Sequence, residues 1–316
     1  MKQVNSNVAD IMPAANKRTL GKRIGMNIPI YILLLPILLY FLIFRYIPMF
    51  GNIIAFQDYS ITRGILNSRF VGLKNFTDFL SSYKFWTLMR NTLSISLLEI
   101  LFGFPSPIIF ALLLNEVKHL RFKKSVQTIT YMPHFISTVV ICSLLLDFVS
   151  SEGLINGIRA LFGGQPIAFM SDPKYFYTIY VSSQIWQSLG WSSIIYIANI
   201  ASIDQELYEA AVIDGAGRWK QAIHITLPSL SETIVILLIM RMGSLVSVGY
   251  HKIILMYNSA IYETADVIST FVYRRGLLEA DYSYSAAVGL FNSIINFVML
   301  MSTNYISKKV KGSGLW

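Results

Sequence analysis

Polar side chains that could do chemistry stand inside long apolar runs of this 316-residue sequence. Ionisable groups in such runs are costly in a bilayer and are functional candidates by default. Arg241 is the strongest candidate, and at helical spacing it aligns with Ser244, Val248 and His251. Glu99 stands in another run, where a structural ion pair with a basic group is the favoured interpretation.

Two further runs carry amide and hydroxyl groups at helical spacing. Gln184, Gln187, Ser188 and Trp191 follow an i, i+3, i+4, i+7 pattern, and Ser285, Asn292 and Asn296 share one face of the last run. One hypothesis is a polar pathway through the chain; the alternative is hydrogen bonding between neighbouring helices. The pathway residues predicted are Gln184, Gln187, Trp191, Arg241, Ser244, Asn292 and Asn296.

The composition indicates a membrane protein. Hydrophobic residues make up 54% of the chain, charged residues only 14%, and the mean hydropathy is +0.54. Soluble domains carry about a quarter charged residues. The net charge of +9 therefore does not point to nucleic acid, because in a membrane protein the placement of the charges matters more than their sum. The single cysteine, Cys142, excludes an intrachain disulfide and is expected to pack as a small hydrophobe.

Six runs are long enough to cross a bilayer as helices, which sets an all-α fold class. The predicted spans are 28–47, 88–114, 129–149, 175–200, 232–256 and 283–306. The first is too long for a signal-peptide core and is followed by no small-residue cleavage site, so we expect it to be retained. Six spans place both termini on one side.

The basic residues predict which side that is. Fourteen Lys and Arg flank the spans on the side of the termini, against eight on the other side. The positive-inside rule then places both termini in the cytoplasm of a multi-pass plasma-membrane protein. The predicted organisation is a cytoplasmic tail over 1–27, a transmembrane domain over 28–306 that contains a cytoplasmic segment over 203–228, and a cytoplasmic tail over 307–316.

Catalytic motifs are absent from the sequence. It has no G-x-x-x-x-G-K-[ST] phosphate-binding loop, no H-E-x-x-H or C-x-x-C metal spacing, and no G-x-S-x-G nucleophile turn. We therefore expect no catalytic residues, no metal and no cofactor in this chain.

The polar stretch "EAAVIDGAGRWKQAIHITLP", residues 209–228, separates spans 4 and 5. It predicts two short helices, one beginning near an Asp204 or Ser202 cap and one over 218–225, joined by a left-handed turn at Gly215. Pro228 would begin the next helix. Small residues beside large anchors such as Trp219 suit a docking element, although an ordinary interfacial loop is the alternative.

This stretch resembles the EAA loop of ABC-importer permeases, E-A-A-x-x-x-G-x9-I-x-L-P. All seven fixed positions match: Glu209, Ala210, Ala211, Gly215, Ile225, Leu227 and Pro228. "FVGLKNF", "SSEGLINGIRALFGGQPIAFMSDP" and "IWQSLGW" are similar to segments of the carbohydrate-importer permeases related to the maltose system. The resemblance covers about 28–306. It departs at Asp204-Gln205, where relatives often have a proline.

The resemblance implies a type I importer permease fold with a cytoplasmic coupling helix between spans 4 and 5. It implies a second homologous permease, two cytoplasmic ATPase subunits that bind ATP and Mg, and an extracytoplasmic binding protein that delivers an oligosaccharide through the bilayer. The long outer loops and Arg241 favour a large or acidic one. The coupling residues implied are Glu209, Ala210, Ala211, Asp214, Gly215, Ala216, Arg218, Trp219, Ile225, Leu227 and Pro228.

Two other classes remain as alternatives. A stand-alone secondary transporter or channel would show internal repeats and would not explain the 209–228 stretch. A membrane enzyme would need a catalytic constellation, and the sequence offers no motif for one.

Overall fold

The structure, a computed structural model, describes residues 27–312 and 314–315, with the side chain of residue 311 left out. The predicted tail over 1–27 thus lies outside the described residues except for Asn27. The described fold is almost entirely helical. Its helices, with widened or 3₁₀ ends included, are α1 Ile28–Phe56, α2 Gly64–Asn67, α3 Lys74–Leu80, α4 Phe85–Asn115, α5 Leu120–Phe135, α6 Thr138–Phe148, α7 Leu154–Leu161, α8 Phe176–Ala201, α9 Gln205–Ile213, α10 Arg218–Ser229, α11 Ser231–Met242, α12 Tyr250–Met256, α13 Tyr262–Ala265, α14 Ile268–Tyr273 and α15 Tyr282–Lys311.

Short elements connect these helices. Two two-residue strands, Gln57–Asp58 and Arg69–Phe70, pair antiparallel, with Gln57 opposite Phe70. The other connections are 3₁₀ turns at Phe169–Ser171, Pro173–Tyr175 and Ser259–Ile261, and a π turn at Arg274–Leu278 that extends α14.

Three long helices widen into a π turn shortly before a proline. The π turns Leu42–Tyr46, Glu99–Gly103 and Ala222–Thr226 each end two residues before Pro48, Pro105 or Pro228. Proline has no backbone N–H and its ring crowds the preceding turn, so the ladder of hydrogen bonds shifts locally. The prediction that Pro228 begins a helix was wrong, because α10 runs through it to Ser229 and the chain bends by 59° only afterwards.

Three described helices, α1, α4 and α15, are both long enough and apolar enough to cross a membrane. The number rises to as many as five if each of two bent helix pairs counts as one span. The bent pairs are α5 with α6, at 103°, and α10 with α11, at 59°. Helix α8 is 26 residues long but is not among these, because its Gln and Ser side chains lower its mean hydropathy. Helix α15 continues past the predicted end of span 6 at 306, so its last turn lies in the predicted C-terminal tail.

The predicted continuous span over 232–256 was wrong. Helix α11 ends at Met242 and α12 begins only at Tyr250, so residues 243–249 are unwound. Glycines at both ends of this segment, Gly243 and Gly249, weaken the helix there. The predicted helical face from Arg241 through Val248 to His251 therefore does not exist as one face.

The chain divides at residue 53 into two compact units. In the first, the apolar side chains of α1 are exposed along its length, which is typical of a helix that faces lipid. In the second, three buried clusters hold the helices together. Their largest members are Phe176, Tyr180 and Met256; Phe79, Leu88 and Phe271; and Ile108, Tyr196 and Leu230.

Helix α8 passes close to α5 at Gly190. A Cβ atom built on Gly190 would lie 2.3 Å from the carbonyl oxygen of Thr130 and 2.8 Å from the Tyr131 ring. Because the nearest obstacle is backbone, it cannot move aside cheaply. Only glycine therefore fits at this crossing.

We predict that Gly190→Ala destabilises the protein by about 1–3 kcal/mol, the usual effect of overpacking a close contact. Gly289→Ala in α15 is the matched control, because nothing lies within 4 Å of its added Cβ. The measurement is the melting temperature of each purified variant in detergent. Equal melting temperatures for the two variants would contradict the close contact.

Candidate functional site

The candidate site is built around the unwound segment 243–249. Its backbone groups find partners on three other elements. Ser96 Oγ of α4 donates to the Leu245 carbonyl, Asn296 Oδ1 of α15 accepts from the Val246 N–H at 2.9 Å, and Ser269 Oγ of α14 donates to the Val248 carbonyl at 2.8 Å. Irregular backbone at membrane depth is tolerated only where protein or water satisfies it. The break in the helix is thus stabilised by hydrogen bonds from the neighbouring helices.

An ion pair lies directly before this break. Arg241, in the last turn of α11, bonds through Nη2 to the Glu99 carboxylate. Glu99 opens the π turn of α4, and its side chain is 11% exposed against 41% for Arg241. The predicted structural pairing of Glu99 with a basic group is confirmed by this contact. Arg241 nevertheless keeps part of its guanidinium open to the space around it.

Two cavities meet at this ion pair. Both are lined by Glu99, Gln184, Ser188 and Arg241. The first, of about 550 Å³, extends past Trp191 and Tyr196 toward the 201 end of α8; we call it the Trp191 cavity. The second, of about 560 Å³, extends past Tyr180 and Lys252 toward the 176 end; we call it the Lys252 cavity. Each volume is in the range of a small-ligand site.

Five of the predicted pathway residues line these cavities. Gln184 and Arg241 line both, Trp191 and Ser244 line the Trp191 cavity, and Gln187 lines the Lys252 cavity. They come from α8, from the end of α11 and, for Ser244, from the unwound segment, so two regions that are distant in sequence supply one polar surface.

Asn292 and Asn296 line neither cavity. The amide nitrogens of both donate to Ser247 Oγ, at 3.5 Å from Asn292 and 2.8 Å from Asn296. Asn296 also caps the Val246 N–H. Their geometry favours the alternative interpretation of helix-to-helix bonding, because both secure the unwound segment from α15.

Lys252 is a residue of the site that the sequence did not indicate. Its residue is only 5% exposed, and its Nζ donates to Gln184 Oε1 at 3.3 Å and lies 5.5 Å from the centre of the Tyr180 ring. A lysine near the predicted end of a span resembles an ordinary flanking charge. Only the break at 243–249 places it inside.

An aromatic platform borders the cavities. The ring of His134 stacks on Trp191 at 4.4 Å between centroids and 3° between planes, and Phe135 meets the same indole edge-on at 5.5 Å. Trp191 remains 45% exposed. Stacked aromatic faces next to amide groups suit a ligand with apolar ring faces and many hydroxyl groups. Within residues 27–312 and 314–315, His, Cys, Asp and Glu form no cluster of three that could hold a metal.

The 205–229 segment forms a second candidate site. Asp204 caps α9 by accepting from the Glu206 N–H at 3.0 Å, and Gly215 adopts φ +74°, which is the left-handed turn that the sequence predicts. A Tyr208–Thr226 hydroxyl bond of 2.9 Å ties α9 to α10. Two short helices thus form one rigid elbow.

The outer surface of this elbow is exposed and partly apolar. Ile213 is 86% and Trp219 75% exposed. Of the predicted coupling residues, Ala211, Ala216 and Ile225 are partly buried, and the others are exposed: Glu209, Ala210, Asp214, Gly215, Arg218, Trp219, Leu227 and Pro228. Large exposed apolar side chains gathered in one place mark an interaction surface.

Residues 90–312 match the profile of the family described as binding-protein-dependent transport system inner membrane component. Two relatives from Bacillus subtilis (strain 168) are similar along nearly their whole length. Protein LplB is 45% identical over 288 residues, which cover 91% of each chain. The polygalacturonan/rhamnogalacturonan transport system permease protein YteP is 42% identical over 301 residues, covering 95% of this chain and 94% of YteP.

Solved structures with the same fold are also similar in sequence. A chain of a bacterial ABC transporter involved in the import of the acidic polysaccharide alginate superposes with a TM-score of 0.86 at 41% identity, covering 92% of this chain and 99% of the other. A second structure holds the bacterial alginate ABC transporter in complex with its alginate pentasaccharide-bound periplasmic protein. Its chain superposes with a TM-score of 0.87, also at 41% identity, and covers 94% and 99% of the two chains. The chain therefore has the helical membrane permease fold of an ABC importer.

We predict that Arg241→Ala lowers the yield of folded protein and destabilises it by about 2 kcal/mol, because it leaves the largely buried Glu99 carboxylate without its partner. Adding Glu99→Gln should restore most of the yield. The measurement is monodisperse protein recovered in detergent for each single variant and for the double variant.

Arg275→Ala is the control for this experiment, because Arg275 also pairs with a carboxylate, that of Glu279 at 2.5 Å, but both side chains are more than a third exposed. It should change the yield little. A double variant as poor as Arg241→Ala alone would contradict the coupling.

Proposed function

Because the chain belongs to the family of binding-protein-dependent transport system inner membrane components, we propose that it is the permease subunit of an ABC importer for oligosaccharides. The observation that carries the proposal is the pair of cavities that share the Glu99–Arg241 ion pair, Gln184 and Ser188 beside an unwound segment in an apolar chain. Transport sites of membrane proteins are typically built at such interrupted helices.

The substrate class that we propose is an acidic oligosaccharide. Polygalacturonan and alginate, which the names of two relatives give, are both chains of carboxylated sugars. The cavities carry one acid, Glu99, against two bases, Arg241 and Lys252, which leaves a net charge of +1 with neutral histidines. Trp191 offers a face for a sugar ring.

Six spans with both termini in the cytoplasm form the proposed topology. The spans are α1, α4, the bent pair α5–α6, α8, α11 with α12, and α15. Helix α8 belongs in this set because its polar residues line the cavities and need not face lipid. The basic residues at 118–124 and 218–220 then lie on the cytoplasmic side, together with 1–27 and 307–316.

The elbow of α9 and α10 is the proposed coupling segment for a cytoplasmic ATPase. Its exposed Ile213 and Trp219 side chains supply apolar area that can pack in a groove of the ATPase. Helix α10 is followed directly by α11, which carries Arg241, so the elbow is connected to the cavities. A ligand or partner shifts a conformation only through contacts that differ between two states. A rigid elbow that ends in the cavity-lining helix can transmit such a difference.

The complete importer that we propose holds a second homologous permease, two ATPase subunits that bind ATP and Mg, and an extracytoplasmic binding protein. This chain has no phosphate-binding loop, so hydrolysis belongs to the ATPase subunits. The permease itself is non-catalytic.

The experiment that tests the proposal is uptake of a labelled acidic oligosaccharide by cells whose own gene is deleted and replaced by variants. We predict that deletion abolishes uptake and that Gly215→Asp lowers it about tenfold or more, because blocking one central docking contact costs more than about 1 kcal/mol. The amount of chain in the membrane should not change.

Gly163→Asp is the matched control, because Gly163 has the same left-handed φ, +76° against +74°, and nothing lies near its added Cβ either. The two variants therefore introduce the same charge with the same backbone strain at different places. Unchanged uptake after deletion would refute the permease assignment. Equal loss in both variants would refute coupling through α9 and α10.

A further inference from the structure

Lys252 is the cationic group in the cavities that is not neutralised by a carboxylate of the described chain. Lys252 takes part in no ion pair within residues 27–312 and 314–315. No carboxylate oxygen of these residues therefore lies within 4.0 Å of Lys252 Nζ. Arg241, the other cation, is bonded to Glu99. The net positive charge of the cavities thus resides mainly at Lys252.

The fold holds this ammonium in a fixed place. Lys252 lies in the first turn of α12, directly after the unwound segment, and its backbone carbonyl faces Cys142 Sγ of α6 at 3.8 Å. Gln184 Oε1 accepts one of its three hydrogens at 3.3 Å, and the Tyr180 ring lies 5.5 Å away. Two donor positions of the ammonium remain for another acceptor.

A largely buried ammonium needs an anion or water beside it. A buried charge without a partner is strongly unfavourable, and lysine commonly binds carboxylates as a compact point charge. The uncharged groups that face it across the Lys252 cavity include Ser137, Thr138, Gln187, Ser188, His134 and His251, which can bond hydroxyl groups. Glu99 is the one carboxylate in the lining, and it is bonded to Arg241. The cavity therefore holds two cations for one carboxylate, and a bound ligand can bring the second negative group.

We infer that Lys252, held by Gln184 and Tyr180, binds a carboxylate of the transported sugar and makes the permease itself selective for acidic over neutral oligosaccharides. This inference rests on the proposed function. The carboxylate displaces water from Lys252 while the adjacent sugar rings meet Gln187 and the Trp191 face. Arg241 stays bonded to Glu99 and contributes hydrogen bonds without net charge.

The test measures uptake of two labelled probes in cells that carry variants in place of their own gene. The probes are the trisaccharides of galacturonate and mannuronate, each as the free acid and as its methyl ester. Esterification removes the charge and keeps the sugar rings. Dividing each variant's uptake by wild-type uptake cancels discrimination by the binding protein, which is the same in all cells.

We expect Lys252→Met to lower uptake of the free acids about tenfold more than uptake of the esters, because it removes a charge-assisted contact. Lys252→Gln should act in the same direction, which keeps the test valid if one variant folds poorly. Lys252→Arg should retain most of the preference for the acid. Lys74→Met, at an exposed lysine outside the cavities, should behave as wild type.

An equal fall for acid and ester in both neutral variants would show a structural role and overturn the inference, as would unchanged uptake. Either result would leave the permease function intact. If wild-type and deletion cells take up none of the probes, the proposed acidic substrate fails together with the inference.

Discussion

The backbone of residues 243–249 leaves its helix inside an apolar chain, and its polar groups require partners there. Ser96, Asn296 and Ser269 provide them from α4, α15 and α14. This requirement fixes the relative positions of four elements. It ends α11 at Met242, with Arg241 beside Glu99, and it turns α12 so that Lys252 enters the space next to α8. The cavities exist because the helix is interrupted after Met242 and because hydrogen bonds from α4, α14 and α15 hold the unwound segment in place.

Two opposite demands meet at this place. A permease interior must be polar enough to hold a hydrated sugar, yet each charge in it carries a desolvation cost. The Glu99–Arg241 pair reduces this cost because the two opposite charges lie in contact. The pair can still form hydrogen bonds but carries no net charge. Lys252 differs, because its one described acceptor is the neutral Gln184 amide oxygen. The Trp191 cavity is therefore neutral in net charge, whereas the Lys252 cavity is positive.

The sequence predicted local features well where a residue type has one physical use. The left-handed Gly215 is an example, whereas the sequence did not decide between Ser202 and Asp204 as the cap of α9, and the structure has Asp204. Gln184 and Arg241 were found because polar groups in apolar runs are conspicuous. It did not predict the break after Met242, because two glycines without a proline are a weak signal against an apolar run. The role of Lys252 was missed with it. Helix-to-helix bonding of Asn292 and Asn296 was one of two interpretations, but their partner Ser247 was not foreseen.

The central claim is that the cavities beside the unwound segment are the transport pathway. The chain's only cysteine, Cys142, is buried, so Ser244→Cys would introduce one reactive thiol into the Trp191 cavity. Labelling of this thiol by a charged, water-soluble reagent in membranes containing the complete importer tests the claim directly. We expect labelling that the transported oligosaccharide slows during ATP turnover, and none at Leu97→Cys, which is exposed on α4 outside the cavities. An unreactive Ser244→Cys, or labelling that the sugar leaves unchanged, would contradict it.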